Sequence, residues 1–146
     1  MGLDNGIEVR AKTPAGKRYL DSFPRRFNIE GEYIEGFKTY EIAYWRKCWN
    51  IRRAILDIVT YRNTKNDGDF YFYFGVDVLA DIADRLKDFL NEDYWRESEG
   101  SSIWSWTEAI VNIAQGIQKI RFILEDIEYG EEVTAEDLEF RFYDSY

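Results

Sequence analysis

The chain contains no histidine in 146 residues, so it lacks both the side chain that titrates most readily near neutral pH and the commonest metal ligand. Mechanisms that need an imidazole base, shuttle or ligand are excluded. A single cysteine, Cys48, can form no internal disulfide and has no second thiol for a zinc site or redox pair. Its helical spacing among apolar neighbours makes it a small buried filler rather than a nucleophile. There is no glycine-rich phosphate loop, dinucleotide fingerprint, serine-nucleophile elbow or zinc signature. Any catalysis would have to rest on carboxylates, lysine, tyrosine or hydroxyls. No window approaches the roughly 18 apolar residues of a membrane span, and the opening MGLDNGIEVR has no apolar signal core. The expectation is a cytoplasmic protein that needs no membrane.

What is present is the composition of a folded domain: 45% hydrophobic, 18% aromatic and 32% charged residues. The length suits one core, and no repeat, low-complexity run or linker divides residues 1–146, so a single domain is expected. Ile7, Val9 and Ala11 alternate with Glu8 and Arg10 as a first strand before the turn KTPAGK. Residues 26–30 and 33–40 alternate less cleanly, as strands interrupted by Gly31 and Gly36. From 42 to 61 the period turns helical. Phe70, Phe72 and Phe74 then alternate with Tyr71 and Tyr73 as an aromatic strand.

A second helix is expected over 78–91, with Asp77 as N-cap and Val78, Leu79, Ile82, Leu86, Phe89 and Leu90 on one face. The longest helix follows the capping-box spacing at Ser105 and Glu108, runs over 106–129 and stops at Gly130, a left-handed terminator. Leu138, Phe140 and Phe142 form the final strand, a plausible neighbour of the first. The fold class is therefore α+β: about three helices on one face of a small, mostly antiparallel sheet that includes the N- and C-terminal strands.

The stretch YWRKCWNIRR, residues 44–53, carries four cations in a chain of net charge −9. On a helical wheel, at about 100° per residue, Tyr44, Cys48, Ile51, Ile55, Ile58 and Val59 share an apolar arc, with Arg46 and Arg53 opposite and Lys47 at its border. Most of this charge is then a solvated helix face. Arg52 breaks the pattern because it points into the apolar arc, and an unpaired buried guanidinium is costly. It must either pass the tryptophans to the surface, pair with a carboxylate, or hold an anionic ligand in its planar fork. Arg46, Lys47 and Arg52 thus form one candidate ligand or enzyme site.

Charge is divided unevenly along the chain. Residues 1–62 hold 12 Lys and Arg against 8 Asp and Glu, while residues 63–146 hold 7 against 20. The halves should attract, or the acidic half should face a basic partner. Asp77, Asp81, Asp84, Asp88 and Glu92 concentrate the second option in one stripe opposite the apolar face of the second helix. Their spacing of roughly 5–6 Å along a helix axis is within a factor of two of the DNA phosphate rise, so a DNA mimic is physically conceivable. The carboxylates lack the calcium-loop spacing, and no metal site or cofactor is expected.

MGLDNGIEVR at the start, EIAYWRKCWNI over 41–51 and the terminal LEFRFYDSY together resemble an uncharacterised family of small phage and prophage proteins. The resemblance rests on Gly2, Leu3 and Asp4, on Tyr44, Trp45, Arg46, Lys47 and Ile51, and on Phe142 and Tyr143. Trp49 and Arg52 stand where that family often has asparagine and histidine, which argues against a shared catalytic helix. The resemblance implies a mobile-element origin and no chemistry. The resulting expectation is a non-enzymatic interaction protein with an unknown, basic protein partner, the stripe Asp77, Asp81, Asp84, Asp88 and Glu92 being its contact. A homodimer is compatible with the sequence, whereas net charge −9 opposes direct nucleic-acid binding.

Overall fold

The computed structural model describes residues 4–46, 48–64, 71–91 and 103–145. Five strands form one antiparallel sheet: β1 (Asp4–Ala11), β2 (Glu32–Ile34), β3 (Phe37–Arg46), β4 (Tyr71–Phe74) and β5 (Leu138–Ser145), in the order β2-β3-β1-β5-β4. The helices among the described residues are α1 (Pro14–Leu20), α2 (Phe23–Phe27), α3 (Trp49–Val59), α4 (Val76–Asn91) and α5 (Ile103–Tyr129). The expected α+β class and the pairing of the first strand with the last are both present. Phe70, the expected start of the aromatic strand, lies outside the described residues.

Alternation along the strands separates two faces. Ile7, Val9, Trp45, Phe140, Phe142 and Phe74 enter the same apolar core as Ile51 and Ile55 of α3, Leu79, Ile82 and Leu86 of α4, and Ile113, Ile120 and Ile123 of α5. The helices therefore lie on one side of the sheet. The opposite positions, Glu8, Arg10, Glu139 and Arg141, are polar and paired across β1 and β5.

The 42–61 region is not one helix. Residues up to Arg46 belong to β3, and the helix starts only at Trp49. The helical arc held for Ile51, Ile55 and Val59, but Ala43 and Trp45 are buried with a period of two, set by pairing to Ile7 and Asn5. Tertiary pairing overrode the local pattern. The expected strand at 26–30 is also wrong: Phe23 and Phe27 lie one helical turn apart on α2, with rings in an edge contact at 5.0 Å, and Asn28 ends that helix in the left-handed region. KTPAGK is not a bare turn either. Thr13 caps α1 by accepting from the Gly16 amide at 3.1 Å, with Pro14 at the helix start, where a missing N–H costs nothing.

Helix boundaries differ for identifiable reasons. Asp77 is inside α4, because the Gly75 carbonyl already accepts from Leu79, so the aspartate acts on the first-turn amides as a charge and not as the N-cap. Ser105 falls within α5. Gly130 does end α5, but without positive φ: a Cβ there would lie 2.4 Å from the Asp126 carbonyl oxygen. Close approach, not handedness, selects glycine. Besides Asn28, the left-handed positions among the described residues are Glu35 and Gly36, the two-residue turn joining β2 to β3.

Gly116 fixes how closely α5 meets the sheet. A Cβ at this position would be 2.9 Å from Ala43 Cβ on β3, an atom rigidly attached to a central strand. Gly116→Val is expected to lose about 2 kcal/mol in urea denaturation, with Gly116→Ala intermediate. Pairing Gly116→Ala with Ala43→Gly should cost less than the two changes separately, and strict additivity would contradict the contact.

Candidate functional site

The three cations of the candidate ligand site are not assembled into one. Arg46 ends β3 on the polar side of the sheet, exposed, with Nε 3.8 Å from Asp4 Oδ1. Lys47 lies outside the described residues. Arg52 projects from α3 toward the core side, where its Nε and Nη2 donate to Asp144 Oδ1 and Oδ2 at 2.7 and 2.8 Å. The fork proposed for a ligand carboxylate holds one supplied by β5. Asn5 Nδ2 donates to the same Asp144 Oδ1 at 2.7 Å, and the guanidinium lies 5.6 Å from the Trp49 ring centroid. Arg52 thus combines two of its alternatives: it stacks on a tryptophan and pairs with a carboxylate. Asp144 is almost wholly buried and Arg52 mostly so.

Beside this junction, Cys48 is buried and its thiol donates to the Arg46 carbonyl at 3.2 Å, as expected of a packing residue. Among the described residues no three potential ligands converge on a metal position, and no helix is long and apolar enough to cross a membrane.

The acidic stripe is where the sequence put it. Leu79, Ile82 and Leu86 are fully buried, while Asp77, Asp81 and Asp88 have side chains 79%, 52% and 57% exposed and Asp84 is also outward. Glu92 lies outside the described residues. The stripe is partly neutralised: Arg62, from the turn after α3, bridges Asp77 at 3.2 Å and Asp81, and Arg85 reaches Asp88 at 3.7 Å. Asp84 is in no ion pair among the described residues.

Sequence reading missed the polar network on the opposite face of the sheet. Arg141 donates from Nε and Nη2 to Glu8 Oε1 at 2.9 and 2.6 Å, and Arg10 Nε donates to Glu139 Oε1 at 2.8 Å. Each guanidinium also lies against aromatic rings, Arg10 at 4.5 Å from the Phe37 centroid and Arg141 at 4.2 Å from that of Tyr71. All four charged residues read as the solvated side of alternating strands. Only the β1–β5 register, which places opposite charges directly across from one another, makes them a buried network.

No family model, curated protein or solved structure matches the chain.

Two predictions follow from the ion pairs and phenols. Asp144→Asn leaves the Arg52 guanidinium without its charge partner and should cost about 3 kcal/mol in urea denaturation; a variant of unchanged stability would free Arg52 for the ligand role. The second concerns Tyr19, Tyr44 and Tyr143, whose hydroxyls donate to Asp126, Asp4 and Glu41 at 2.5, 2.9 and 2.6 Å. Burial first, and the carboxylate acceptors second, hold all three phenols protonated, with Tyr44 pushed up to about 12. Unfolded phenols ionise near pH 10, so above that value the unfolded state has lost protons that the folded state keeps. Stability is therefore insensitive to these groups below about pH 9 and falls as the pH rises past about 10. Tyrosinate absorbance should show three phenols titrating only as the fold is lost, and full reversible titration near pH 10 in the folded state would refute this.

Proposed function

We propose that the protein is a non-enzymatic, cytoplasmic interaction module of phage or prophage type, whose acidic α4 surface engages a basic protein partner. One observation carries this reading: the apolar side of α4 is consumed by the core, while Asp77, Asp81, Asp84 and Asp88 stand outward and, among the described residues, only Arg62 and Arg85 pair with them. Carboxylates that do no work for the core are free to recognise charge. The absence of histidine, and the commitment of Arg52 to Asp144, support binding over catalysis. Charge-led association of this kind is fast and salt-sensitive.

The test is capture from host lysate at about 0.1 M salt and again near 1 M, where the screening length falls from about 10 to 3 Å. A specific partner should be retained at the lower salt, lost at the higher, and lost from Asp81→Asn/Asp84→Asn/Asp88→Asn at both. Arg62 competes with the partner for Asp77 and Asp81, so Arg62→Ala should tighten binding measured by calorimetry without changing Tm. Partner binding that survives the triple change would move the contact off α4.

A further inference from the structure

We propose that the cleft between α1 and the β2–β3 hairpin binds a small amphiphilic anion, an apolar aromatic or aliphatic body bearing one carboxylate or phosphate. The cleft encloses about 460 Å³, within the range of roughly 300–1,000 Å³ usual for small-molecule sites. Its walls are largely apolar, built from Ala11, Pro14, Leu20, Tyr33, Phe37 and Tyr40. Three lysines from three different segments converge on it: Lys12 just after β1, Lys17 on α1 and Lys38 on β3. None of them is in an ion pair among the described residues, and Asp21 is the single acidic residue in the lining.

In a chain of net charge −9, this gathers a local excess of two positive charges around an apolar hollow. Solvated surface lysines need no such concavity. An apolar body in the hollow would lower the local dielectric around the lysines and strengthen their attraction for a head group at the mouth. Tyr40 adds a second feature: it lines the cleft, it is 1% exposed, and its hydroxyl has no hydrogen-bond partner among the described residues. A buried hydroxyl in that state is destabilising in the free protein and gains a partner only if a ligand displaces the atoms that cover it.

The walls are also preformed. The Lys12 amide donates to the Asp137 carbonyl at 2.8 Å, and Thr13 Oγ1 donates to Asp137 Oδ1 at 2.7 Å, which anchors the start of α1. On the other side the hairpin closes through the tight Glu35–Gly36 turn. A site held open by such anchors does not lose binding energy to ordering its walls. No residue of α4 lines it, so the proposal stands apart from the acidic-surface reading.

Amide NMR titration of the full chain with naphthoate, naphthyl phosphate and neutral naphthalenemethanol, at about 0.1 M salt, tests it. Saturable shifts at residues 11–20 and 33–40 with either anion are expected, the stronger head group identifying the ligand type. The neutral alcohol should bind about tenfold more weakly, and Lys12→Gln/Lys17→Gln/Lys38→Gln, surface changes that leave the core intact, should lose about tenfold for the anions. Tyr40→Phe should raise the Tm of the free protein while weakening the anions several-fold. Equal binding of the neutral alcohol, shifts mapping elsewhere, or no saturation with either anion would overturn the site. A lower Tm for Tyr40→Phe would show that its hydroxyl already has a partner, and would remove it from the proposal.

Discussion

The structure depends on the pairing of β1 with β5, which brings the two ends of the described chain together at the middle of the sheet. Closing a loop of that length costs about 4 kcal/mol in chain entropy beyond a constant term. Nothing local repays it, so the contacts across this seam must. Ile7 beside Phe142 and Val9 beside Phe140 bury apolar surface on one side, while Glu8–Arg141 and Arg10–Glu139 join the strands on the other. At one end Asp144 takes Arg52 from α3 and Asn5 from β1, so a helix is pinned to the seam as well. The sheet is complete only when the last strand arrives, because β1 can pair with β3 beforehand but its other edge, and the whole of β4, wait for β5.

The uneven charge along the chain has a tertiary explanation before it has a functional one. Arginines of the first half meet carboxylates of the second at Arg10–Glu139, Arg26–Asp126, Arg52–Asp144 and Arg62–Asp81. Exposed members of this set are worth little individually, whereas those at the seam are desolvated and hold geometry. Arginine suits these places because its fork meets a carboxylate with two donors while its plane lies on a ring. Arg10 and Arg141 do both. What is left after these pairings is an excess of acid on the outer side of α4, so the surface that could recognise a partner is what the fold did not use.

How much of this was legible follows from the range of each signal. The amphipathic faces of α4 and α5 and the alternation of β1 and β5 are local patterns, and the elements came out where those patterns lie. The break between β3 and α3 did not, because Tyr44, Cys48 and Ile51 satisfy a helical wheel that ignores the demand of β1 for a full-length neighbour. The short helices α1 and α2 carry too few residues for a period, and their clues were Thr13 and the two prolines. The acidic stripe was readable since helix geometry alone creates it. The Glu8–Arg141 network was not, since it exists only once two strands some 130 residues apart adopt a register.

The distribution of unpaired polar atoms adds a last step. Among the described residues, Asn5 Oδ1, Trp45 Nε1 and the Tyr40 hydroxyl are buried without a partner. Asn5 and Trp45 are register partners, at the same end of the sheet as the Asp144 cluster. Their cost is tied to an arrangement that already earns its place: Asn5 must turn its amide nitrogen to Asp144, which leaves its oxygen facing no donor. Tyr40 has no such excuse. Its ring packs against Phe23 at 5.6 Å and would do so equally well as phenylalanine, so nothing in the core needs the hydroxyl. A polar atom that the core does not need, on a residue lining an apolar cleft with three lysines, is the one feature of this core that the proposed ligand would account for.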